Sequence, residues 1–133
     1  MAYEHRLYIV RRNECRSATG KTTVFGEVIA EYNCSRMPYN FLDLFSVGKK
    51  IDFPLLIDPD HETDTDNYGD HCRMMKPSTI VKYLENLMET EENWRDYRRI
   101  PPLLGLLKGF DPAQWDKHGE TVSSELVVVH YGY

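Results

Sequence analysis

Asp58–Asp70, DPDHETDTDNYGD, divides the chain in two, because the hydrophobic pattern changes period across it. Upstream, apolar residues alternate as they do along strands; downstream they recur at helical spacing. The stretch itself carries six carboxylates, one histidine and no lysine or arginine. A segment so charged supplies no core, and it reads as a solvated, mobile loop joining a strand-rich part to a helical part.

Working upstream, Lys49 to Ile57 (KKIDFPLLI) reads as one strand, with Pro54 confining it to an edge or a bulge. Before it, Asn40 is a candidate cap for a short helix through Phe45, and Ser46-Val47-Gly48 ends that helix. Thr22 to Tyr32 and His5 to Asn13 are strands, and Ser17-Ala18-Thr19-Gly20 has the composition of the turn between them. In the first strand Leu7 and Ile9 lie on one face and Tyr8 and Val10 on the other, which places it inside a sheet. Gly20-Lys21-Thr22 matches the end of a phosphate-binding GxxxxGKT loop, but Cys15 stands at the first glycine and β-branched residues follow where a helix should open. A hairpin turn is the better reading.

Downstream, His71 to Lys76 is short and ambiguous, with strand as one reading. Pro77-Ser78 opens the clearest helix, with Ser78 as N-cap and Ile80, Leu84, Leu87 and Met88 forming one stripe. Glu91 to Arg99 reads as a second helix, or as an extension of the first, that Pro101-Pro102 stops. Leu103 to Phe110 adds a helical turn or two, and Asp111-Pro112 resembles the start of a further element over Ala113 to Lys117. Thr121 to Tyr131 closes the chain as a strand whose Leu126-Val127-Val128-Val129 run suits a covered, central position. The expected architecture is a single α+β domain over residues 1–133, with a mostly antiparallel sheet of four or five strands packed with two or three helices.

Composition narrows the function classes. A net charge of −5 disfavours general nucleic-acid binding, which depends on Lys and Arg at phosphates. No apolar run approaches the roughly 20 residues of a membrane span, and the charged N-terminus is unlike a signal peptide. Cys15, Cys34 and Cys72 are odd in number and widely spaced, which favours a reducing compartment over a disulfide framework or a structural zinc. The expectation is a cytoplasmic protein with no metal and no cofactor; a homo-oligomer stays open.

No catalytic motif is complete. Two registers of a calcium loop in the acidic stretch fail at the closing ligand, where Met75 or His71 stands in place of glutamate. His61-Glu62 begins an HExxH zinc helix, but Thr65 replaces the second histidine. His61-Glu62-Thr63 also matches one half of the paired HxT motif of 2H phosphoesterases, and no second half exists to complete the acid–base pair. The constellation best suited to a ligand is Trp94, Tyr97 and Arg98 on one helical face, with Arg99, Arg36 and Tyr39 as further contacts. Rings that stack on a base and guanidiniums that grip phosphate are how nucleotides are held. Arg6, Arg11, Arg12, Arg16 and Lys21 offer a second anion-attracting surface on the first hairpin.

YEHRLYIVRRNE, GEVIAEYNCSRM, FLDLF and the acidic segment closing in Tyr68-Gly69-Asp70 resemble a group of small accessory proteins carried by bacteriophages and prophages. The resemblance covers about half the chain and brings no agreed activity, so it assigns no functional residue. It implies a setting, the host bacterial cytosol, and a role in countering host defences by binding. The expected function is therefore a non-enzymatic counter-defence protein that sequesters a nucleotide-derived signalling molecule. One alternative is an inhibitor that binds a host defence protein through Asp58, Asp60, Asp64, Asp66 and Asp70. The other is a phosphodiesterase or metal-dependent enzyme centred on His61.

Overall fold

The computed structural model describes residues 5–34, 37–38, 41, 43–58, 61–66, 69–109 and 122–132, with the backbone alone at 58, 61 and 122–125. The fold grows from strand β1 (His5–Arg16), whose two faces are both buried. Leu7 and Ile9 face a core shared with the helices; Tyr8 and Val10 face a second core built from the sheet itself. A strand that is apolar on both faces belongs between two layers, and β1 lies between β2 (Thr22–Asn33) and the last strand, β7 (Val122–Gly132), antiparallel to both. The turn before β2 has Gly20 at φ 84, so this segment is a hairpin and not a phosphate loop.

Seven strands form one mixed sheet among the described residues, in the order β3-β6-β7-β1-β2-β4-β5. This exceeds the four or five strands expected, and the reason lies at Pro54. Lys49 to Ile57 does not form one strand: β3 (Lys49–Lys50) and β4 (Leu55–Asp58) are separated by Ile51–Pro54 and go to opposite ends of the sheet. Pro54 has no N–H to give a ladder, but its carbonyl accepts the Gly26 N–H at 2.9 Å and seats β4 beside β2. That pairing is parallel, and the others among the named strands are antiparallel. The acidic stretch is not a bare loop either, since β5 (His61–Thr63) lies inside it and pairs with β4.

The sheet curls until its ends approach. A bulge leaves Ile29 extra where Ile9 faces Ala30 and Val10 faces Val28, and bulges sharpen twist. Beyond β5, Thr65 bridges His71, and the Cys72 N–H donates to the Asp64 carbonyl at 2.9 Å, immediately before β6 (Arg73–Met75). Inside the curl sit Tyr8, Val10, Ile51, Phe53, Leu55, Cys72, Val127, Val129 and Tyr131.

Helices cover the other face. α1 (Asp43–Ser46) is a single turn that inserts Phe45. α2 (Pro77–Thr90) buries Ile80, Leu84 and Leu87, the stripe that the spacing indicates. Its N-cap is Lys76 with Pro77 in the first turn, so Ser78 is inside the helix and caps nothing. Glu91 to Arg99 is not a helix: only Trp94–Asp96 turns, as one 3-10 step. Pro101-Pro102 does not stop a helix but stands in the first turn of α3 (Ile100–Gly109), where a missing N–H costs no hydrogen bond. The element expected over Asp111 to Lys117 lies outside the described residues.

Candidate functional site

Strand register builds the site. Lys50 lies directly opposite Arg73, Arg73 opposite His130, and His130 opposite Leu7, so one cross-strand row carries three nitrogenous side chains on the helix-facing side. Arg73 donates from Nη1 to the Gly48 carbonyl at 2.6 Å, which fixes its direction and leaves further N–H donors on the guanidinium. A Cβ on Gly48 would meet the Met74 carbonyl oxygen at 2.9 Å, so the chain passes here only because the residue is glycine. Among the described residues neither Lys50 nor Arg73 makes an ion pair.

A cleft of about 510 Å³ opens over this row. The row and α1 (Phe45 and Ser46) form one part of its wall. The other part is the acidic turn, from Asp66, Gly69, Asp70 and His71. That turn is held by three hydrogen bonds. The Asp66 N–H donates to the Asp70 carbonyl (2.8 Å), the Gly69 N–H to the Asp66 carbonyl (3.1 Å), and the Asp70 N–H to Asp66 Oδ1 (3.1 Å). Gly69 at φ 80 supplies the left-handed step. Thr65 is seated alongside, its N–H donating to Thr63 Oγ1 at 3.1 Å.

His130 sits at the base of the cleft with its ring 5.4 Å from that of Phe45. Its Nε2 is 3.0 Å from Nδ1 of His5 while the ring centres are 5.2 Å apart. The centres are farther apart than the nitrogens by about two ring radii, so the rings meet edge to edge, one nitrogen donating its hydrogen and the other accepting. Burial, then the charge on His5, pushes the His130 pKa down to about 4 against an opposing pull from Asp66. Burial lowers His5 as well. His71 Nδ1 lies 3.8 Å from an Asp64 carboxylate oxygen in an exposed pair.

The groups read from sequence as ligand contacts are placed differently. Arg99 donates to the carbonyl and side-chain oxygens of Asn33, and its own carbonyl accepts the Tyr32 hydroxyl at 2.6 Å, so it tethers the entry to α3 onto β2. Tyr97 packs against the helical core. The Arg95 guanidinium lies 4.8 Å from the centre of the Trp94 ring, covering a face that a base would need. Arg98 is exposed. Arg36, Tyr39 and Asp60 lie outside the described residues, as do the side chains of Asp58 and His61. Of the acidic group, Asp66 and Asp70 come together at the cleft and Asp64 stands beside it.

On the basic hairpin Arg6, Arg11 and Arg12 are taken up by carboxylates, while Arg16 and Lys21 are exposed with no ion pair among the described residues. Arg6 pairs with Glu31 at 2.7 Å and Arg11 with Glu27 at 3.4 Å. Arg12 grips Asp52 through Nε (3.1 Å) and Nη2 (3.0 Å), and that contact holds the Asp52 carboxyl below its ordinary range. Burial pushes the thiols of Cys34 and Cys72 up to about 12; nearby Asp66 and Asp64 add to the effect at Cys72. Among the described residues no three His, Cys, Asp or Glu side chains gather as a metal-holding group, and no helix is long and apolar enough to cross a membrane.

Lys50, Arg73, Phe45 and His130 are the site residues that sequence reading missed. The weak signal present was the cationic alternation of Lys50 and Arg73 in segments too short to show a period. Comparison with protein-family models, with curated proteins and with solved structures gives no match for this chain.

Proposed function

We propose that the protein is a non-enzymatic binding protein that sequesters a small nucleotide-derived molecule in the cleft over Lys50, Arg73 and His130. The observation that carries this reading is the direct opposition of Lys50 and Arg73 with no carboxylate paired to either among the described residues. Like charges facing each other across a sheet are destabilising, and a bound phosphate between them reverses the sign. The cleft has the volume of a small-molecule site, and Phe45 and His130, with their rings tilted 32° to each other, are among the residues that line it. Binding is favoured over turnover because the Cys34 and Cys72 thiols, pushed up to about 12, are poor nucleophiles and His130 Nε2 is engaged with His5. The resemblance of the opening strand to phage accessory proteins supports a counter-defence role in the host cytosol.

A second reading, direct inhibition of a host defence protein, is favoured by the exposed carboxylates of Glu62, Asp64 and Asp70, which sit on described residues joined by the Asp66–Asp70 and Asp64–Cys72 hydrogen bonds. A thermal-shift screen with nucleoside phosphates and cyclic dinucleotides separates the two. Ligand at about a hundred times its Kd stabilises by roughly 2.7 kcal/mol, a rise of about 3–6 °C. The sequestration reading expects that shift in the wild type and its loss in Lys50→Glu. No shift with any nucleotide, together with capture of a host protein that Asp70→Lys abolishes, would replace it with the second reading.

A further inference from the structure

The cleft is not uniformly cationic: Lys50 and Asp70 both line it and do not pair with each other. Among the described residues Lys50 makes no ion pair and the Asp70 carboxylate has no partner. Asp66 also lines the cleft, but its Oδ1 already accepts the Asp70 N–H. That same hydrogen bond, with Gly69 in its left-handed conformation, fixes the backbone from which the Asp70 carboxylate projects. His71 Nδ1 lies 3.8 Å from Asp64 in an exposed pair, and His130 Nε2 is hydrogen-bonded to His5. A ligand that satisfies both Lys50 and Asp70 carries an anion for the one and hydrogen-bond donors for the other.

We infer that the preferred ligand is a guanine nucleotide, with phosphate between Lys50 and Arg73 and the Watson–Crick edge of the base on Asp70. This rests on the sequestration reading above and specifies which nucleotide the same site takes. An ionised carboxylate offers two acceptors and no donor. Guanine alone among the common bases sets two donors side by side on that edge, N1–H and the N2 amine. Adenine and cytosine place a ring acceptor beside their amine, and uracil has one N–H flanked by two carbonyls, so each brings a lone pair against the carboxylate. Base edges lifted out of a helix are read by such contacts elsewhere in nucleic-acid chemistry.

The test is titration calorimetry of the full chain with GMP, dGMP, IMP, AMP, UMP and guanosine, on the wild type, Asp70→Asn and Lys50→Ala. GMP is expected to bind tightest, with IMP, which lacks the N2 amine, weaker by roughly tenfold. dGMP is expected to match GMP. Asp70→Asn replaces one acceptor by a donor, the pattern that suits adenine, so the GMP-to-AMP ratio should fall to one or below. Lys50→Ala should weaken every phosphate-bearing ligand by about the same factor and leave guanosine unchanged. AMP or UMP binding as tightly as GMP to the wild type would overturn the guanine assignment while leaving the sequestration reading standing. So would an unchanged ratio in Asp70→Asn, or a preference for GMP over dGMP that replaces the preference among bases. Failure of all these nucleotides to bind would overturn the guanine assignment, and failure of the cyclic dinucleotides as well would overturn the sequestration reading itself.

Discussion

The hairpin β1–β2 and the β3–β6 edge both carry cations on strands, and they treat them in opposite ways. On the hairpin, Arg6, Arg11 and Arg12 each reach a carboxylate within 2.7–3.4 Å. At the edge, Lys50 faces Arg73 and neither is ion-paired among the described residues. The hairpin shows charge used to hold strands in register, with its energy already spent inside the fold. The edge keeps a repulsive pair in place through the Arg73–Gly48 contact and so leaves its charge available to a ligand. An abundance of arginine in sequence was therefore a poor guide to where an anion would bind; the sparse end of the sheet is the better candidate.

Substitutions and pH should separate the two regions. The largest effect is expected at His130, which is part-buried on β7 between the edge and β1 and whose pKa burial lowers. Its folded pKa of about 4 lies below the ordinary 6.5, so the unfolded chain takes up the proton first as pH falls. Stability should be full above pH 6.5, decline through the window down to about pH 4, and lose up to about 3 kcal/mol over it. His5, also lowered, acts in the same direction. Urea midpoints measured across that window check this, and His130→Gln should flatten the slope.

Next in size is Gly26→Ala in the hairpin. A Cβ there would meet the Phe53 ring at 2.5 Å and Val10 Cγ1 at 2.9 Å, with Gly26 also held to Pro54. Overpacking of this kind costs about 1–3 kcal/mol, to be read from chemical denaturation. Arg12→Ala should cost about 1 kcal/mol, through the lost bidentate pair with Asp52 and the guanidinium lying 5.8 Å from the Phe53 ring centre. The smallest change runs the other way. Lys50→Glu places opposite charges across β3–β6 and should stabilise the fold by about 0.2–1 kcal/mol, visible as a small rise in Tm.

These regions also differ in how much of them the sequence discloses. The hairpin was legible because each strand runs 12 residues, long enough for Leu7, Ile9 and Tyr8, Val10 to declare two faces. The α2 stripe of Ile80, Leu84 and Leu87 was legible for the same reason. The edge was not. β3 has two residues and β6 three, too few for any period, and Pro54 divides a run that looks continuous. Pro101 and Pro102 read as a stop because a proline pair fits both the end of one helix and the first turn of the next. Trp94, Tyr97 and Arg98 share a face only at helical spacing, and the chain there makes one 3-10 step and turns into α3. Lys50, Arg73 and His130 are remote in sequence, and only register joins them.

On the proposed reading Lys50 and Arg73 of the edge bind the anion, and the hairpin arginines already held by carboxylates do not. Titrating GMP into the wild type, Lys50→Glu and Arg11→Glu under the same conditions decides between them. Wild type and Arg11→Glu should bind with similar affinity, and Lys50→Glu should not bind despite its unchanged or higher Tm. Equal binding by Lys50→Glu and the wild type would overturn that assignment.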